Sequence, residues 1–398
     1  MGQLKSKLTS NDHDEMNSLE RILEKDGPAA VNAYLEKNIN KWKEEDVKFA
    51  VSGCTATGKS TFINTLRGVK CGDKSYAEEG FGATTKEPTP YTHPDNAKIV
   101  FYDLPSVGTL ERKKEDYIND MKICDYDFVF VFFDRVFNED TLWLVGELDK
   151  LGKPYCLVRS KLDKDMKNAA RENIDRELVE PKIEAQIKES IEKNDKLKNA
   201  KNVFFISCFD TSIGNMSELI DYMHSNLGKF KGEAVMSSLT VLSENFIHLK
   251  YSMLKRRIKK VLVIAAGFGA IPVPGVDIAL NIALLIEEVI HYIHCFGLSK
   301  YVLPASNSFD SSRFKFNKSR IPNADIAAFI IFRLGFNATL MMAENVLDIT
   351  FPIIRSLISG SASAVVSYTF LNRFLDDIRN DTIAIYRCMV KQKSNIRL

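Results

Sequence analysis

VKFAVSGCTATGKSTFINTLRG, residues 47–68, decides the fold of this chain. An apolar run ends in a glycine-containing turn, and the turn leads into a stretch with helical spacing. Gly53 to Ser60 match G-x-x-x-x-G-K-[ST] in the strand-to-helix context that makes this phosphate-binding loop (P-loop) specific. Such a loop directs backbone N–H groups and a helix N-terminus at phosphate oxygens. The residues predicted to line the nucleotide phosphates are Gly53, Ala56, Thr57, Gly58, Lys59, Ser60 and Thr61.

A second stretch, IVFYDLPSVG at residues 99–108, reads as a buried strand that runs into a turn. Its Asp103 ends the apolar run, where phosphate-transfer enzymes carry the aspartate of a magnesium site. We expect Asp103 and the Ser60 hydroxyl to hold Mg²⁺, together with Thr85 from the glycine-rich, polar segment GFGATTKEPTPYTHP. Lys59, which can reach the β- and γ-phosphates, and Thr85 are the predicted catalytic residues.

The base is predicted from LVRSKLDKD, which follows the fourth β-type run. Ser160-Lys161-Leu162-Asp163 stands where the [NT]-K-x-D guanine reader belongs, and Ser160 departs mildly from that pattern. Asp163 can accept two hydrogen bonds from guanine N1 and N2, while the Lys161 stem covers the base. FFISCFD follows a further strand, and the backbone of Ser207 and Cys208 is the expected contact of the guanine oxygen. The predicted ligands are GTP and GDP.

The secondary-structure pattern of the sequence changes twice along the chain. Residues 1–46 carry a helical pattern, and residues 47–230 alternate strands (VKFAVSG, KIVFYD, DFVFVFF, KPYCLV, NVFFIS) with helical or charged segments. Residues 231–398 carry long helical patterns alone. This order predicts a mostly parallel sheet flanked by helices, with an all-α part at either side of it in the sequence.

Two hydrophobic stretches, residues 261–290 and 351–375, raise the question of a membrane span. The uncharged part of the first is short and is broken by Pro272 and Pro274. We expect a helical hairpin that turns at IPVPG inside a soluble bundle, and close helix packing for the second stretch.

Composition excludes several classes of protein. Lys plus Arg number 54 against 52 Asp plus Glu, a balance that argues against a nucleic-acid-coating protein. Seven scattered cysteines without C-x-x-C predict neither a zinc site nor a disulfide framework.

The N-terminal sequence MGQLKSKLTS fits the myristoylation pattern at Gly2, with Lys5 and Lys7 as a second membrane signal; a chance match is the alternative.

These motifs, in this order, resemble the immunity-related GTPases, the p47 interferon-inducible family of dynamin-like large GTPases. The resemblance covers nearly the whole chain and rests on GKSTFINTLRG, TPYTHP, YDLPSVGT, VRSKLDKD, IPVPGVDIAL and LNRFLDDI. Lys59 places the chain with the members that carry lysine in the P-loop. The resemblance implies an α/β plus all-α fold, in which a Ras-like P-loop GTPase domain is inserted into a helical domain formed by both chain ends.

The resemblance also implies partners and a location. Members hydrolyse GTP with Mg²⁺, assemble through their G domains with themselves or related GTPases, and act in the cytoplasm, peripherally on intracellular membranes, in cell-autonomous innate defence. No nucleic-acid partner is expected. In LKRRIKKVLVI, Lys255 to Lys260 could meet anionic lipid heads beside an apolar face; a solvated helix end is the alternative.

Two departures from the family pattern leave the rate of hydrolysis open. Ser106 replaces the glycine of D-x-x-G, whose N–H meets the γ-phosphate; serine keeps an N–H, so Ser106 is predicted to bind the nucleotide there. Ala83 stands where an acidic residue of the GTP-dependent contact is usual. No glutamine follows Asp103 to orient the attacking water. One hypothesis is a GTPase that is slow alone and faster when assembled. The other is a hydrolysis-impaired GTP-binding regulator or scaffold of related GTPases.

Overall fold

The structure is a computed structural model that describes residues 40–78, 87–107, 114–194, 202–241, 243–268, 276–298 and 361–396, with isolated positions at 197, 200 and between 21 and 37. The strands are β1 (Val47–Gly53), β2 (Thr89–His93), β3 (Asn96–Asp103), β4 (Phe128–Phe133), β5 (Tyr155–Arg159) and β6 (Val203–Phe205). The helices are α1 (Lys59–Arg67), α2 (Lys114–Asp120), α3 (Glu139–Lys150), α4 (Leu162–Arg171), α5 (Arg176–Glu192), α6 (Met216–Asn226), α7 (Lys229–Ser238), α8 (Glu244–Phe268), α9 (Val276–Cys295) and α10 (Ser361–Ile396).

The six strands form one sheet in the order β2-β3-β1-β4-β5-β6. Neighbouring strands are parallel except β2, which pairs antiparallel with β3. The direction in which the chain moves across the sheet reverses between β1 and β4. In open α/β sheets ligands bind outside the carboxyl ends of the strands at this reversal. The P-loop, which directly follows β1, therefore occupies the expected binding position.

The centre of the sheet is buried on both faces, which explains its continuous apolar runs. All six residues of β4, FVFVFF, are buried. The Phe49 ring of β1 stacks on Phe101 of β3 at 4.9 Å between centroids, and Phe62 of α1 meets Phe130 edge-on at 5.1 Å. This aromatic packing anchors α1 against the sheet, and with it the end of the P-loop.

The strand β2 was not among the β-type runs that the sequence predicts. Its residues Thr89 to Thr92 alternate between partial and greater exposure at the edge of the sheet, and His93 is buried. Pro90 lies inside it, and proline is tolerated on an edge strand because it has no N–H to donate. Pairing with β3, which no local pattern encodes, makes this segment a strand.

The chain divides into two compact units. The sheet-containing unit comprises Glu44–Lys250, Cys295–Gly297 and Tyr386–Leu398. The helical unit comprises Met1–Lys43, Tyr251–His294 and Leu298–Ile385. In the helical unit the Trp42 ring lies 5.0 Å from His291, and a buried Arg257–Glu288 ion pair of 2.7 Å joins α8 to α9. An α/β domain inserted into a helical domain built from both chain ends is thus confirmed. The predicted boundaries after residues 46 and 230 stay predictions.

The two hydrophobic stretches are described only in part. Within the described ranges, none of the helices combines the length and the apolar character needed to cross a bilayer. The predicted turn at IPVPG, with Pro272 and Pro274, lies outside the described residues. The hairpin therefore stays a prediction.

Candidate nucleotide site

The P-loop is shaped by backbone conformations that side chains tolerate poorly. Gly53 has φ 127°, and a Cβ there would lie 1.9 Å from the Phe132 carbonyl oxygen of β4. Gly58 has φ 90° and approaches the Ser160 hydroxyl. Ala56 has φ 61°, a left-handed conformation that costs a residue with a Cβ roughly 1–2 kcal/mol. The loop thus holds a defined curl.

Lys59 begins α1, directly behind the loop. Its Nζ donates to the carbonyl oxygens of Gly53, at 3.2 Å, and Cys54, at 3.1 Å. Burial lowers the pKa of the Lys59 ammonium, and the nearby Asp103 and Cys54 oppose that shift. Because α1 has no side-chain cap, its first N–H groups are available to an anion. A bound phosphate would bring further negative charge to this half-buried ammonium.

Ser60 and Asp103 form the predicted metal site. The Ser60 hydroxyl donates to Asp103 Oδ2 at 2.8 Å. The other carboxylate oxygen, Oδ1, is buried and has no hydrogen-bond partner. Burial raises the pKa of the Asp103 carboxyl, against the influence of Lys59 and Ser60. A hydroxyl beside an unpaired carboxylate oxygen is a donor set that fits Mg²⁺, which prefers oxygen ligands and few of them from protein.

Ser106 is bonded to the P-loop by its side chain. Its Oγ donates to the Gly53 carbonyl oxygen at 3.1 Å and lies 3.1 Å from Thr55 Oγ1, which donates to it in turn. The backbone of Ser106 does not adopt positive φ. A cavity of 250 Å³ adjoins this pair and is lined by Cys54, Thr55, Ser106 and Val107, with further residues from β4 and α3.

Tyr117 of α2 supports the turn that carries Ser106. Its hydroxyl donates to the Pro105 carbonyl oxygen at 2.8 Å and lies 2.8 Å from the Ser52 hydroxyl. The side chain is only 1% exposed. Sequence reasoning missed both Thr55 and Tyr117, because only the folded chain brings them to Pro105 and Ser106.

The predicted guanine reader lies against the P-loop. Lys161 adopts φ 67° and its Nζ donates to the Ala56 carbonyl oxygen, while the Ser160 hydroxyl donates to that of Thr57. Asp163 is buried, and its Oδ1 accepts a hydrogen bond of 3.0 Å from Ser207 Oγ.

The loop after β6 completes this end of the site. Ser207 Oγ accepts the Asp210 N–H at 3.0 Å, so one hydroxyl fixes both Asp163 and the turn. The Cys208 carbonyl oxygen accepts a weak 3.4 Å bond from Thr65 Oγ1 of α1, and Thr65 also donates to the Thr61 carbonyl oxygen at 2.8 Å. The bond between Thr65 and Cys208 joins the loop after β6 to α1, the helix that follows the P-loop.

Three predicted positions lie outside the described residues: Thr85, Ala83 and Gly2. The other predicted site residues converge at the carboxyl edge of the sheet. In the described part of the chain, groups of three or more His, Cys, Asp or Glu that could hold another metal ion do not occur.

A family model described as "Interferon-inducible GTPase (IIGP)" matches residues 12–308. The chain belongs to the interferon-inducible GTPase family. This family membership confirms the resemblance drawn from the motifs and makes the chain a GTP-binding GTPase of the immune type.

Relatives of this interferon-inducible GTPase extend over most of its length. Mouse T-cell-specific guanine nucleotide triphosphate-binding protein 2 is 29% identical and covers 89% of this chain and 84% of its own. Rat interferon-inducible GTPase 5 is 24% identical over 92% of this chain and 81% of its own. Among solved structures, the FeoB G-domain from Methanococcus jannaschii is 22% identical, covering 46% of this chain and 98% of its own, with a TM-score of 0.28. The strand order and the family match carry the fold assignment.

Proposed function

We propose that this interferon-inducible GTPase binds GTP and GDP with Mg²⁺, hydrolyses GTP to GDP and phosphate, and assembles in the GTP state on intracellular membranes in cell-autonomous defence. One observation carries the proposal: the Ser60–Asp103 pair, with Asp103 Oδ1 buried and unpaired, lies beside the half-buried Lys59. The Lys59 ammonium, and a cation held by the oxygens of Ser60 and Asp103, would supply the two positive charges that stabilise a bound triphosphate.

Different residues of this chain would bind the phosphates and the metal ion. Lys59 exchanges its two carbonyl partners for the β- and γ-phosphates, and the P-loop N–H groups hold the phosphate oxygens. Ser60 and Asp103, with Thr85 as the proposed third contributor, hold the metal ion. Bound Mg²⁺ supplies neutralisation of charge on the β- and γ-phosphates.

Orientation of the attacking water is the step for which this chain supplies least. Val107 is buried and apolar at a position after Asp103 where a water-orienting glutamine would be expected, and Gly108 lies outside the described residues. Positioning contributes much of the rate of phosphoryl transfer. We therefore propose that assembly through the G domains, with a second copy or a related GTPase, completes the site.

A second candidate function is a hydrolysis-impaired regulator of related GTPases. The Ser106 hydroxyl, bonded to both Gly53 and Thr55, favours this alternative because it holds the turn to the P-loop. A peptide flip at Ser106 toward positive φ would cost roughly 1–2 kcal/mol more than at glycine. Nucleotide binding would then persist while turnover is lost.

Membrane attachment is proposed from two segments. Gly2 is the proposed myristoylation site, and the basic run of α8 the proposed second signal. Lys255, Arg256 and Lys259 are exposed, whereas Arg257 forms the buried ion pair with Glu288 and is unavailable to lipid. One acyl chain needs such a second signal for stable attachment. A solvated helix end is the competing interpretation of this run.

GTP hydrolysis over a wide range of protein concentration tests the proposal, with wild type beside Ser106→Gly. Specific activity that rises with wild-type concentration would support an assembly-activated GTPase. Flat, near-zero turnover of bound GTP that Ser106→Gly restores would support the regulator. Failure of both proteins to bind guanine nucleotide would overturn both functions.

A further inference from the structure

A second cavity, of 540 Å³, is lined by residues of α4 and α5 and by the ends of β4 and β5. None of the residues that line it belongs to the predicted nucleotide site. Its volume falls within the range of small-molecule sites, roughly 300–1,000 Å³. One wall is apolar and is formed by Ile174, Val179, Ile183 and Ile187.

Arg159, the last residue of β5, contributes a buried guanidinium to this cavity. The side chain is 7% exposed, and its Nη2 pairs with Asp165 of α4 at 2.9 Å. Its Nη1 is buried and has no hydrogen-bond partner. The backbone is fixed on both sides, because β5 pairs with Phe133 of β4 and the Arg159 carbonyl oxygen accepts the Ile206 N–H at 2.9 Å. A guanidinium with an unused donor is thus held in place.

The lining has an excess of positive charge. Arg135, Arg171 and Lys182 join Arg159, against the carboxylates of Asp165 and Glu172 alone. Asp165 is already engaged by Arg159. Across the described ranges, Arg135, Arg171 and Lys182 form no ion pair within 4.0 Å. Protein surfaces usually mix positive and negative side chains, so three cations without an acidic partner in these ranges are unusual. Four cations face two carboxylates, and this leaves two positive charges uncompensated.

We propose that this cavity binds a small phosphate monoester, held by Arg159, Arg135, Arg171 and Lys182, with its organic part against the isoleucine-rich wall. Guanidinium groups suit phosphate because their planar donors match its oxygens in bidentate pairs. The burial of Arg159 lowers the local dielectric and strengthens such bonds. The same chemistry is available from a soluble ester and from a phosphate headgroup of a lipid.

The test uses the full chain loaded with GDP and Mg²⁺, so that the P-loop is filled. Inorganic phosphate is titrated against chloride at matched ionic strength, and the thermal unfolding midpoint is followed. In a second arm, vesicles of phosphatidylcholine with phosphatidic acid are sedimented with the protein. Arg159 is left intact because its pairing with Asp165 is structural.

The double variant Arg171→Gln, Lys182→Gln removes two exposed cations of the cavity. Its matched control, Lys164→Gln, Lys167→Gln, removes the same charge from exposed positions of α4 that do not line the cavity. We expect phosphate binding to weaken at least about tenfold in the cavity variant, since two charged hydrogen-bond donors are removed. The control should behave as wild type.

The two arms distinguish the sources of the ligand. A phosphate response that only the cavity variant loses would support a soluble ester. Vesicle binding that only this variant loses, without a phosphate response, would support a lipid headgroup. A response retained by the cavity variant, an equal loss in the control, or no response to either probe would overturn the proposal.

Discussion

The two ends of the nucleotide site are built differently. At the guanine end, side chains bond to P-loop backbone and to a buried carboxylate: Ser160 to Thr57, Lys161 to Ala56 and Ser207 to Asp163. At the γ-phosphate end, two hydroxyl groups, Thr55 and Ser106, bond to each other. The first arrangement positions the carboxylate that is predicted to read guanine, whereas in the second the two hydroxyl groups are partners of each other. We therefore expect nucleotide affinity and the rate of hydrolysis to respond to different substitutions in this protein.

The largest expected effect is at the guanine end. Asp163→Asn removes the negative charge and replaces one of the two acceptor oxygens by an NH2 donor that faces the donors of guanine, and hydrogen bonds to a charged group contribute roughly 1.5–3 kcal/mol each. We expect GDP affinity to fall by about two to four orders of magnitude while xanthine-nucleotide affinity rises, as measured by fluorescence titration. Asp221→Asn, an exposed position of α6, is the control. Unchanged GDP affinity would show that Asp163 does not read the base.

The metal site ranks next. Ser60→Ala removes a hydroxyl that bonds Asp103 at 2.8 Å. We expect the Mg²⁺-dependent gain in GDP affinity to fall at least about tenfold, equivalent to 1.4 kcal/mol, because one oxygen ligand is lost. Titration with and without Mg²⁺ measures the gain, and Ser225→Ala is a control on exposed α6. A gain equal to that of wild type would place the metal elsewhere.

A smaller effect on stability is expected from the support of the Ser106 turn. Tyr117→Phe deletes a buried hydroxyl and leaves the Pro105 carbonyl and the Ser52 hydroxyl without this partner. The free energy of unfolding should fall by about 1–3 kcal/mol. Urea denaturation measures this loss, and Tyr368→Phe, an exposed tyrosine of α10, should change it little. Equal effects of the two substitutions would contradict the structural role of Tyr117.

The smallest expected effect concerns the bond between Thr55 and Ser106, which most directly tests how the two ends of the site differ. A cycle of Thr55→Ala, Ser106→Ala and the double variant isolates the bond between the two hydroxyl groups. We expect a coupling energy of about 0.5–1.5 kcal/mol in the free energy of unfolding. GDP affinity should stay within about threefold of wild type, since neither hydroxyl belongs to the guanine end. Additive effects of the two single changes would show that the pair does not hold the turn.

Local pattern predicted much of this molecule. The sequence placed β1, the P-loop and α1 correctly because an apolar run, glycine and helical spacing act over a few residues. It also predicted the strands that became β3, β4, β5 and β6. It missed β2, whose proline and polar residues do not favour a strand by themselves. Only hydrogen bonding to β3 defines that strand.

The sequence by itself determined the type of ligand and the alternation of strands and helices, and its motifs carried the resemblance to the family. These follow from residue types at short spacing, which backbone sterics and burial translate directly into local structure. Only the tertiary structure decided that Thr55 meets Ser106 across 51 residues and Tyr117 meets Ser52 across 65. It also placed Arg159 in a basic cavity. Contacts of this range depend on how strands and helices pack, and no local periodicity encodes them.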